Sequence, residues 1–265
     1  MPYEKFRKEV EGILEEKVEP LTWNELKECS TKLKQKAPYH VYVQKLQGDI
    51  GLVRFKRGNK TVWALRKWFE AGKFKELLPE KVRFTILSVK RDYAIAANEY
   101  WELKRIYPRE TTLNRWDVME AEVDDFFPEE DKRPESIRIK GDGMKYLRRI
   151  EDDEEKIRIA EKIAESGEFM HTDAWKGKTQ GMTKPRFRCF YFYDSKCQFF
   201  CDQSVCVGHD MDVDERDESV EIKGDKVYFV LEAIEREDTV WRKSKVEWCI
   251  KSVISLCDPG QRRLL

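Results

Sequence analysis

The chain has little of what catalytic and metal centres are usually built from. It has three histidines, His40, His171 and His209, and it lacks Cys-x-x-Cys pairs, His-x-x-x-His pairs, Gly-rich phosphate loops and nucleophile elbows. These patterns are the usual sequence signs of zinc sites, nucleotide sites and serine hydrolases. Their absence leaves few places for a histidine-centred active site, so we expect no cofactor and a binding protein rather than an enzyme.

Long apolar runs are also missing. No stretch approaches about 18 uninterrupted apolar residues, and residues 1–8 contain no apolar signal core. Hydrophobic residues make up 40% of the chain and charged residues 38%, which is typical of packed globular proteins, often thermophilic ones, whose surfaces carry ion-pair networks. We therefore expect a cytoplasmic protein that does not enter the membrane.

The net charge is zero, but the charges are unevenly distributed. Residues 31–66 contain nine basic residues and one acidic residue, Asp49, so this segment has a formal charge of +8. The compensating acids are concentrated in residues 117–135, 151–155 and 210–221. The basic segment is therefore predicted to meet a polyanion, and the rest of the chain is not.

The first 50 residues carry signals for three helices. Apolar residues at helical spacing predict a first helix over residues 3–17. Thr22 and Glu25 have the spacing of a capping box, in which each side chain bonds a free amide at a helix start, and a second helix is expected through residues 26–33. A third helix is predicted over residues 38–47, with Pro38 in its first turn and Gly48 just past its end.

The third helix has an apolar stripe and an outward face. Its stripe, formed by Tyr39, Val43, Leu46 and Ile50, is expected to face the core. The outward residues have side chains suited to reading a major groove. An amide can bond adenine, a methyl group can contact the thymine methyl, and an ammonium group can reach guanine or phosphate. They are Ala37, Val41, Gln44 and Lys45.

A basic β-hairpin is predicted to follow. Residues 52–56 and 61–65 alternate as strands, and residues 57–60 contain the Gly58-Asn59 turn between them. Lys56, Arg57 and Lys60 lie at the tip, where cations contact a phosphate backbone.

In this order of elements, residues 3–66 resemble the winged-helix DNA-binding domains of archaeal regulators. The resemblance is carried by Leu21-Thr22-Trp23-Asn24-Glu25-Leu26, by Val43, Leu46 and Ile50-Gly51-Leu52, and by Thr61-Val62-Trp63-Ala64-Leu65. It implies binding of double-stranded DNA, usually by a homodimer, through the third helix and the hairpin. The expected DNA-binding residues are Lys36, Val41, Gln44, Lys45, Arg54, Lys56, Arg57 and Lys60. Winged helices also serve as protein-interaction modules, and this alternative stays open.

Residues 76–265 are predicted to form an α+β domain with antiparallel hairpins. A strand is expected over residues 82–89 and helices over residues 93–106, 144–165 and 244–256. The domain boundary is placed near residue 75, with a subdivision in the acidic, Pro-containing residues 126–136. Residues 135–142 and 218–225 have similar sequences, a short internal echo, and each predicts a strand that enters a Gly-Asp turn.

Aromatic residues alternate with basic ones in residues 184–193, which are followed by a turn at Asp194-Ser195 and a second strand over residues 196–201. Such a hairpin is usually the centre of a sheet with two buried faces. A stacking platform for single-stranded nucleic acid is the alternative.

Two weaker candidate sites lie in the remaining sequence. Cys197, Cys201, Cys206 and His209 could hold zinc, but two cysteines four residues apart on a strand are about 13 Å from each other, too far to share an ion. Free thiols or disulfides are favoured instead. Asp212, Glu221 and Lys223 match the Asp…Glu-x-Lys layout of metal-dependent nucleases, although Glu-x-Lys is a common triplet in so charged a chain.

The sequence thus predicts an α+β protein whose N-terminal winged helix binds DNA, and we interpret it as a transcription regulator. The alternatives are a metal-dependent nuclease that uses the winged helix to bind substrate, and a protein-interaction module.

Overall fold

The chain folds into two compact units, residues 1–80 and residues 81–265. The computed structural model describes residues 1–107, 113–131, 133–164, 179–184, 192–193, 196–197, 209–210, 226–238 and 243–257. Both helices and strands are present, so the fold class is mixed α+β, as expected. Among the described residues, no helix is both long enough and apolar enough to cross a membrane.

Unit 1, residues 1–80, contains four helices and a small sheet. Its elements are α1 (Tyr3–Lys17), β1 (Leu21–Thr22), α2 (Trp23–Glu28), α3 (His40–Asp49), β2 (Leu52–Arg57), β3 (Lys60–Leu65), α4 (Arg66–Glu70) and a single 3-10 turn at Lys75–Leu77. The strands are ordered β1-β3-β2 and both pairings are antiparallel.

The first helix has the predicted bounds because its apolar residues form one buried stripe. Phe6, Val10, Ile13 and Leu14 are all buried. The helix ends at Val18, which adopts a left-handed conformation with φ 51° and donates its N–H to the Leu14 carbonyl. The hairpin of β2 and β3 also has nearly the predicted bounds, and Gly58 at its turn has φ 61°.

The second helix is shorter than predicted, ending at Glu28 instead of Leu33. The Ser30 hydroxyl accepts a hydrogen bond from the Lys32 N–H at 3.1 Å, a local turn that competes with helix continuation. Leu33 is nevertheless buried, so it packs from an irregular segment and not from a helix. The third helix begins and ends two residues later than predicted.

Unit 2, residues 81–265, is built around a closed five-stranded barrel. Its strands are β4 (Lys81–Val89), β5 (Ala94–Asn98), β6 (Leu103–Tyr107), β7 (Asp117–Asp125) and β8 (Ser136–Arg149). The order around the barrel is β4-β5-β6-β8-β7. All pairings are antiparallel except β6 with β8, which is parallel. The acidic residues 126–135 therefore connect two strands of one barrel rather than two domains.

The predicted helix over residues 93–106 is wrong, because β5 and β6 occupy that segment. Ala94 and Ala96 pack inside the barrel, whereas Ile95 and Ala97 belong to a second core outside it. A strand buried on both faces shows no polar alternation, so its sequence cannot be told from a buried helix by periodicity.

The predicted long helix over residues 144–165 is correct only in its second half. Helix α5 spans Asp153–Ile163 and begins at Asp152, whose side chain accepts from the Glu154 and Glu155 N–H groups. The preceding residues continue β8. The predicted Gly-Asp turn at Gly141-Asp142 is also wrong: β8 runs through it with a bulge, since Ala121 pairs with Met144 and Val123 with Ile139.

A second sheet with the order β9-β13-β14 completes the described core. Its strands are β9 (Gln180–Thr183), β13 (Lys226–Asp238) and β14 (Lys243–Leu256). The last strand replaces the predicted helix over residues 244–256. One face of this sheet supplies Tyr228, Val230 and Ile254 to the core that also contains Ile95 of the barrel and Ile159 of α5. The other face forms a separate cluster around Phe229 and Trp248.

A third small sheet has the order β10-β11-β12, with strands β10 (Phe192–Tyr193), β11 (Lys196–Cys197) and β12 (His209–Asp210). Phe192 pairs with Cys197 and Tyr193 with Lys196 in antiparallel register. The rest of the predicted aromatic hairpin, and residues 218–225 of the echo, lie outside the described residues.

Candidate nucleic-acid interface

The outward face of α3 carries the side chains expected there. Val41 and Lys45 are exposed and Gln44 is half-buried. The opposite face is closed, because Val43 and Leu46 are 1% and 0% exposed. The helix therefore presents a methyl-bearing, an amide and an ammonium side chain to solvent while it is anchored from behind.

The prediction that Tyr39 faces the core is wrong. This side chain is 55% exposed. The helix begins at the following residue, so Tyr39 is its N-cap, with φ −66° and ψ 126°, and does not continue the apolar stripe. Its ring lies against the Tyr42 ring, with the centroids 5.5 Å apart and the planes at 72°.

The N-terminus of α1 supports α3 through aromatic contacts. Tyr42 packs against Phe6, with ring centroids 5.4 Å apart, and against Tyr3, with centroids 5.3 Å apart. The Tyr3 hydroxyl donates to the Asp49 carboxylate at the end of α3. Burial, the hydrogen bond to Asp49 and its charge all raise the pKa of Tyr3. The Lys45 ammonium lies 5.4 Å from the centroid of the Tyr3 ring. The inner side of α3 is thus packed against the N-terminal part of α1, and its outward face is left to solvent.

The hairpin of β2 and β3 has a cationic tip. Lys56, Arg57 and Lys60 are exposed, and Arg54, nearer the base, is half-buried. Arg57 and Lys60 are Cα partners on the two strands, on either side of the Gly58 turn. Lys36, in the segment before α3, is exposed as well.

Several cations of the basic segment remain available to a partner. Lys32 pairs with Glu9 at 2.7 Å and Arg66 with Glu70 at 2.7 Å. Within the described part of the chain, by contrast, no ion pair engages Lys34, Lys36, Arg57 or Lys60. Among the described residues, no acidic side chain in contact with these four cations neutralises their charge.

Glu25 interacts electrostatically with the cations of the hairpin tip. Its pKa is lowered mainly by the hydrogen bond from the Thr22 backbone N–H, and Lys60 and Arg57 lower it further by their charge. The capping box fixes this carboxylate at the start of α2, and its negative charge offsets part of the positive charge of the tip.

The weaker predicted sites fall mostly outside the described residues. Asp212, Glu221 and Lys223 lie there, as do Cys201 and Cys206. Cys197 and His209 are Cα partners between β11 and β12. Within the described ranges no group of three His, Cys, Asp or Glu side chains is placed to hold a metal ion, and Cys29, Cys249 and Cys257 form no disulfide there.

Sequence reasoning missed a buried charge cluster in unit 2, centred on Glu232 of β13. The Glu232 side chain is 2% exposed and pairs with Arg105, Arg133 and, at 3.5 Å, Lys251. Tyr93 donates its hydroxyl to Glu232 at 2.7 Å, and burial raises the pKa of Tyr93 to about 12. The one signal in the sequence was a single acid inside the apolar run of β13. Because residues of β6 and of two barrel loops converge on this acid, the cluster joins the barrel to the second sheet.

A second buried carboxyl lies in the same unit. Glu135 is 8% exposed and accepts a hydrogen bond from the Thr179 hydroxyl. Burial raises the pKa of Glu135 above its ordinary value. Among the described residues the neighbouring Ser136 hydroxyl and Gln180 amide are buried and have no hydrogen-bond partner. Thr179 and Glu135 thus link the segment before β9 to the start of β8.

Comparison with known proteins adds no relative to this picture: no protein-family model, no curated protein and no solved structure matches the chain.

Proposed function

We propose that the chain is a DNA-binding protein, a transcription regulator, that reads double-stranded DNA with unit 1 acting as a winged helix. The order of elements supports this proposal: helix α1, strand β1, capped helix α2, helix α3, and then the β2-β3 hairpin. The pairing of β1 with β3 supports it further, because it ties the start of α2 to the hairpin. In winged-helix domains the third helix enters the major groove and the hairpin contacts the backbone.

The observation that carries the proposal is that unit 1 presents two complementary kinds of surface. The outward face of α3 offers Val41, Gln44 and Lys45, which suit base edges. The hairpin tip offers Arg57 and Lys60, which suit phosphates. Both surfaces belong to a segment with a charge of +8, and polyanionic DNA is the partner that such a field attracts.

The other interpretations have less support. A protein-interaction module would not need two exposed cations, Arg57 and Lys60, that no ion pair within the described residues engages. A metal-dependent nuclease would need carboxylates gathered around an ion; the described residues contain no such group, and the candidates Asp212, Glu221 and Lys223 lie outside them. Unit 2, in this proposal, serves dimerisation or signal sensing, and the regulator acts in the cytoplasm as a homodimer.

The experiment is a mobility shift of the full chain on random-sequence duplex at low and high salt, with and without Mg²⁺, followed by sequencing of the retained DNA. We expect retention that falls with salt and an enriched motif. Absence of retention at low salt would contradict DNA binding altogether. Degradation only in the presence of Mg²⁺ would favour the nuclease.

The hairpin is tested by the double variant Arg57→Ala/Lys60→Ala. We expect weaker binding. The slope of log affinity against log salt concentration should become less negative by about 0.9 for each phosphate that the variant no longer neutralises. The matched control is Lys8→Ala/Lys73→Ala, which removes the same charge from exposed positions of unit 1 outside residues 31–66. An equal loss of affinity in both variants would mean that only net charge matters, and no loss in either would favour a protein partner.

A further inference from the structure

Tyr39 is the most exposed large hydrophobic side chain described in unit 1. It is 55% exposed, compared with 40% for Val41 and 41% for Val18. A single exposed aromatic side chain is common on protein surfaces, so the inference depends on how the Tyr39 ring is held and on which residues accompany it.

The Tyr39 ring is exposed but not loosely placed. One side lies against the Tyr42 ring, and Tyr42 is itself fixed by Phe6 and Tyr3 and by a 3.2 Å hydrogen bond from its hydroxyl to the Met1 carbonyl. A tyrosine held in this way contributes contact area and a hydroxyl donor at low cost in conformational entropy. Within the described residues the Tyr39 hydroxyl has no hydrogen-bond partner.

The surroundings of Tyr39 are cationic and suit an anionic partner. Lys36 is exposed three residues earlier, and Lys45 lies on the outward face of the same helix. The first turn of α3 contains no acidic residue and no side chain caps it. These charges complement an anionic partner, and DNA is the anionic partner of the proposed function.

We propose that the Tyr39 hydroxyl donates a hydrogen bond to a DNA phosphate at the edge of the groove that α3 enters. This inference rests on the proposed function and extends it by one residue. Tyrosine side chains and helix N-termini are both regular donors to phosphate oxygens in protein–DNA complexes. A neutral donor of this kind positions the helix without releasing a counterion.

The test is a titration of labelled duplex with the full chain and its Tyr39→Phe variant, by fluorescence anisotropy over a range of salt. We expect Tyr39→Phe to bind about threefold to tenfold more weakly, with an unchanged salt slope, since the ring and every charge are kept. The reduction should be the same on random duplex and on an enriched sequence, because a phosphate contact carries no sequence information. Lys36→Ala provides the contrast, because removing a cation from a phosphate should lower the slope by about 1.

The matched control is Tyr146→Phe, at a position in β8 that is also 55% exposed. Equal binding of Tyr39→Phe and wild type would overturn the inference, as would an equal reduction in Tyr146→Phe or a reduction confined to one DNA sequence. If wild type itself fails to bind duplex, the proposed function fails, which is a different result. Because Tyr39→Phe keeps the contact with Tyr42, its melting temperature should equal that of wild type. Equal melting temperatures would show that the substitution changes binding and not stability.

Discussion

The side chains of Thr22 and Glu25 each accept a hydrogen bond from the other residue's backbone N–H. The Glu25 N–H donates to the Thr22 hydroxyl at 3.3 Å, and the Thr22 N–H donates to the Glu25 carboxylate at 2.6 Å. The pair fixes the first turn of α2 directly after β1. We expect Thr22→Ala to lower the free energy of unfolding by about 0.5–2 kcal/mol, the usual contribution of an N-cap. Urea unfolding measures it, and Thr31→Ala, at an exposed position outside the helices, should change little.

The same pair makes part of the stability depend on pH. The pKa of Glu25 is lowered below its ordinary value of 4.5, chiefly by the Thr22 N–H. A carboxyl with a lowered pKa in the folded state stabilises the protein above its unfolded pKa, and this contribution disappears as the pH falls through the folded value. Glu25→Gln should therefore flatten the acid side of a stability profile. Glu28→Gln, at the other end of α2, should leave it unchanged, and equal profiles for both variants would contradict the assignment.

Two glycines are expected to respond oppositely to alanine. A Cβ at Gly143, in the bulge of β8, would lie 2.9 Å from the Glu122 Cβ and 3.1 Å from the Lys140 carbonyl oxygen. Gly143→Ala should destabilise the chain by about 1–3 kcal/mol, as overpacking does. Gly12, within α1, has nothing within 4 Å of that position. Gly12→Ala should instead stabilise by about 1 kcal/mol. Thermal unfolding of both variants checks the sign.

Glu135 should show the reverse pH dependence to Glu25. Burial raises the pKa of Glu135 above the ordinary 4.5. Its contribution to stability is fully present below the unfolded pKa and is lost as the pH rises through the folded pKa, because the buried carboxyl must then ionise. Glu135→Gln should gain stability over wild type above that pH and not below it. Urea midpoints from acid to neutral pH measure this difference, and a constant difference would argue against the assignment.

The Glu232 cluster is expected to be sensitive to removal of its carboxylate. Glu232→Gln removes the buried carboxylate that Arg105, Arg133 and Lys251 share, while Arg105 and Arg133 keep their ion pairs with Asp131 at 3.0 and 3.3 Å. Leaving a buried charge uncompensated costs about 3–5 kcal/mol, and the remaining Asp131 should keep the cost here below that range. Glu235→Gln, on the same strand but exposed, is the control and should change the urea midpoint little. Equal midpoints for the two variants would show that the cluster does not stabilise the junction.

The elements of unit 1 could be predicted because their signals are local. The Thr22 and Glu25 spacing, the stripe of α1 and the Gly58 turn are each read from a few neighbouring residues, and each is present in the structure. Tyr39 was misplaced because the prediction started α3 at Pro38, and a helix start is less certain than a helix interior.

Unit 2 could not be predicted to the same extent because β5 and the middle of β14 are buried on both faces. The residues Ala94-Ile95-Ala96-Ala97 lack polar alternation, and Trp248-Cys249-Ile250 in β14 is a continuous buried run. By contrast, β4 begins with an alternation of exposed Lys81 and Arg83 with less exposed Val82 and Phe84, and this strand was predicted correctly. The pairing of Glu232 with Arg105 joins residues far apart in the chain, and no pattern in one sequence predicts such a contact.

The burial of β5 on both faces has a consequence for the order of events during synthesis. The barrel strands are complete once Arg149 has been made, yet Ile95 and Ala97 on the outer side of the barrel are covered by Tyr228, Val230 and Ile254. In a nascent chain this apolar patch is therefore incompletely covered until β14 has left the ribosome, and over that interval unit 2 is more exposed to aggregation.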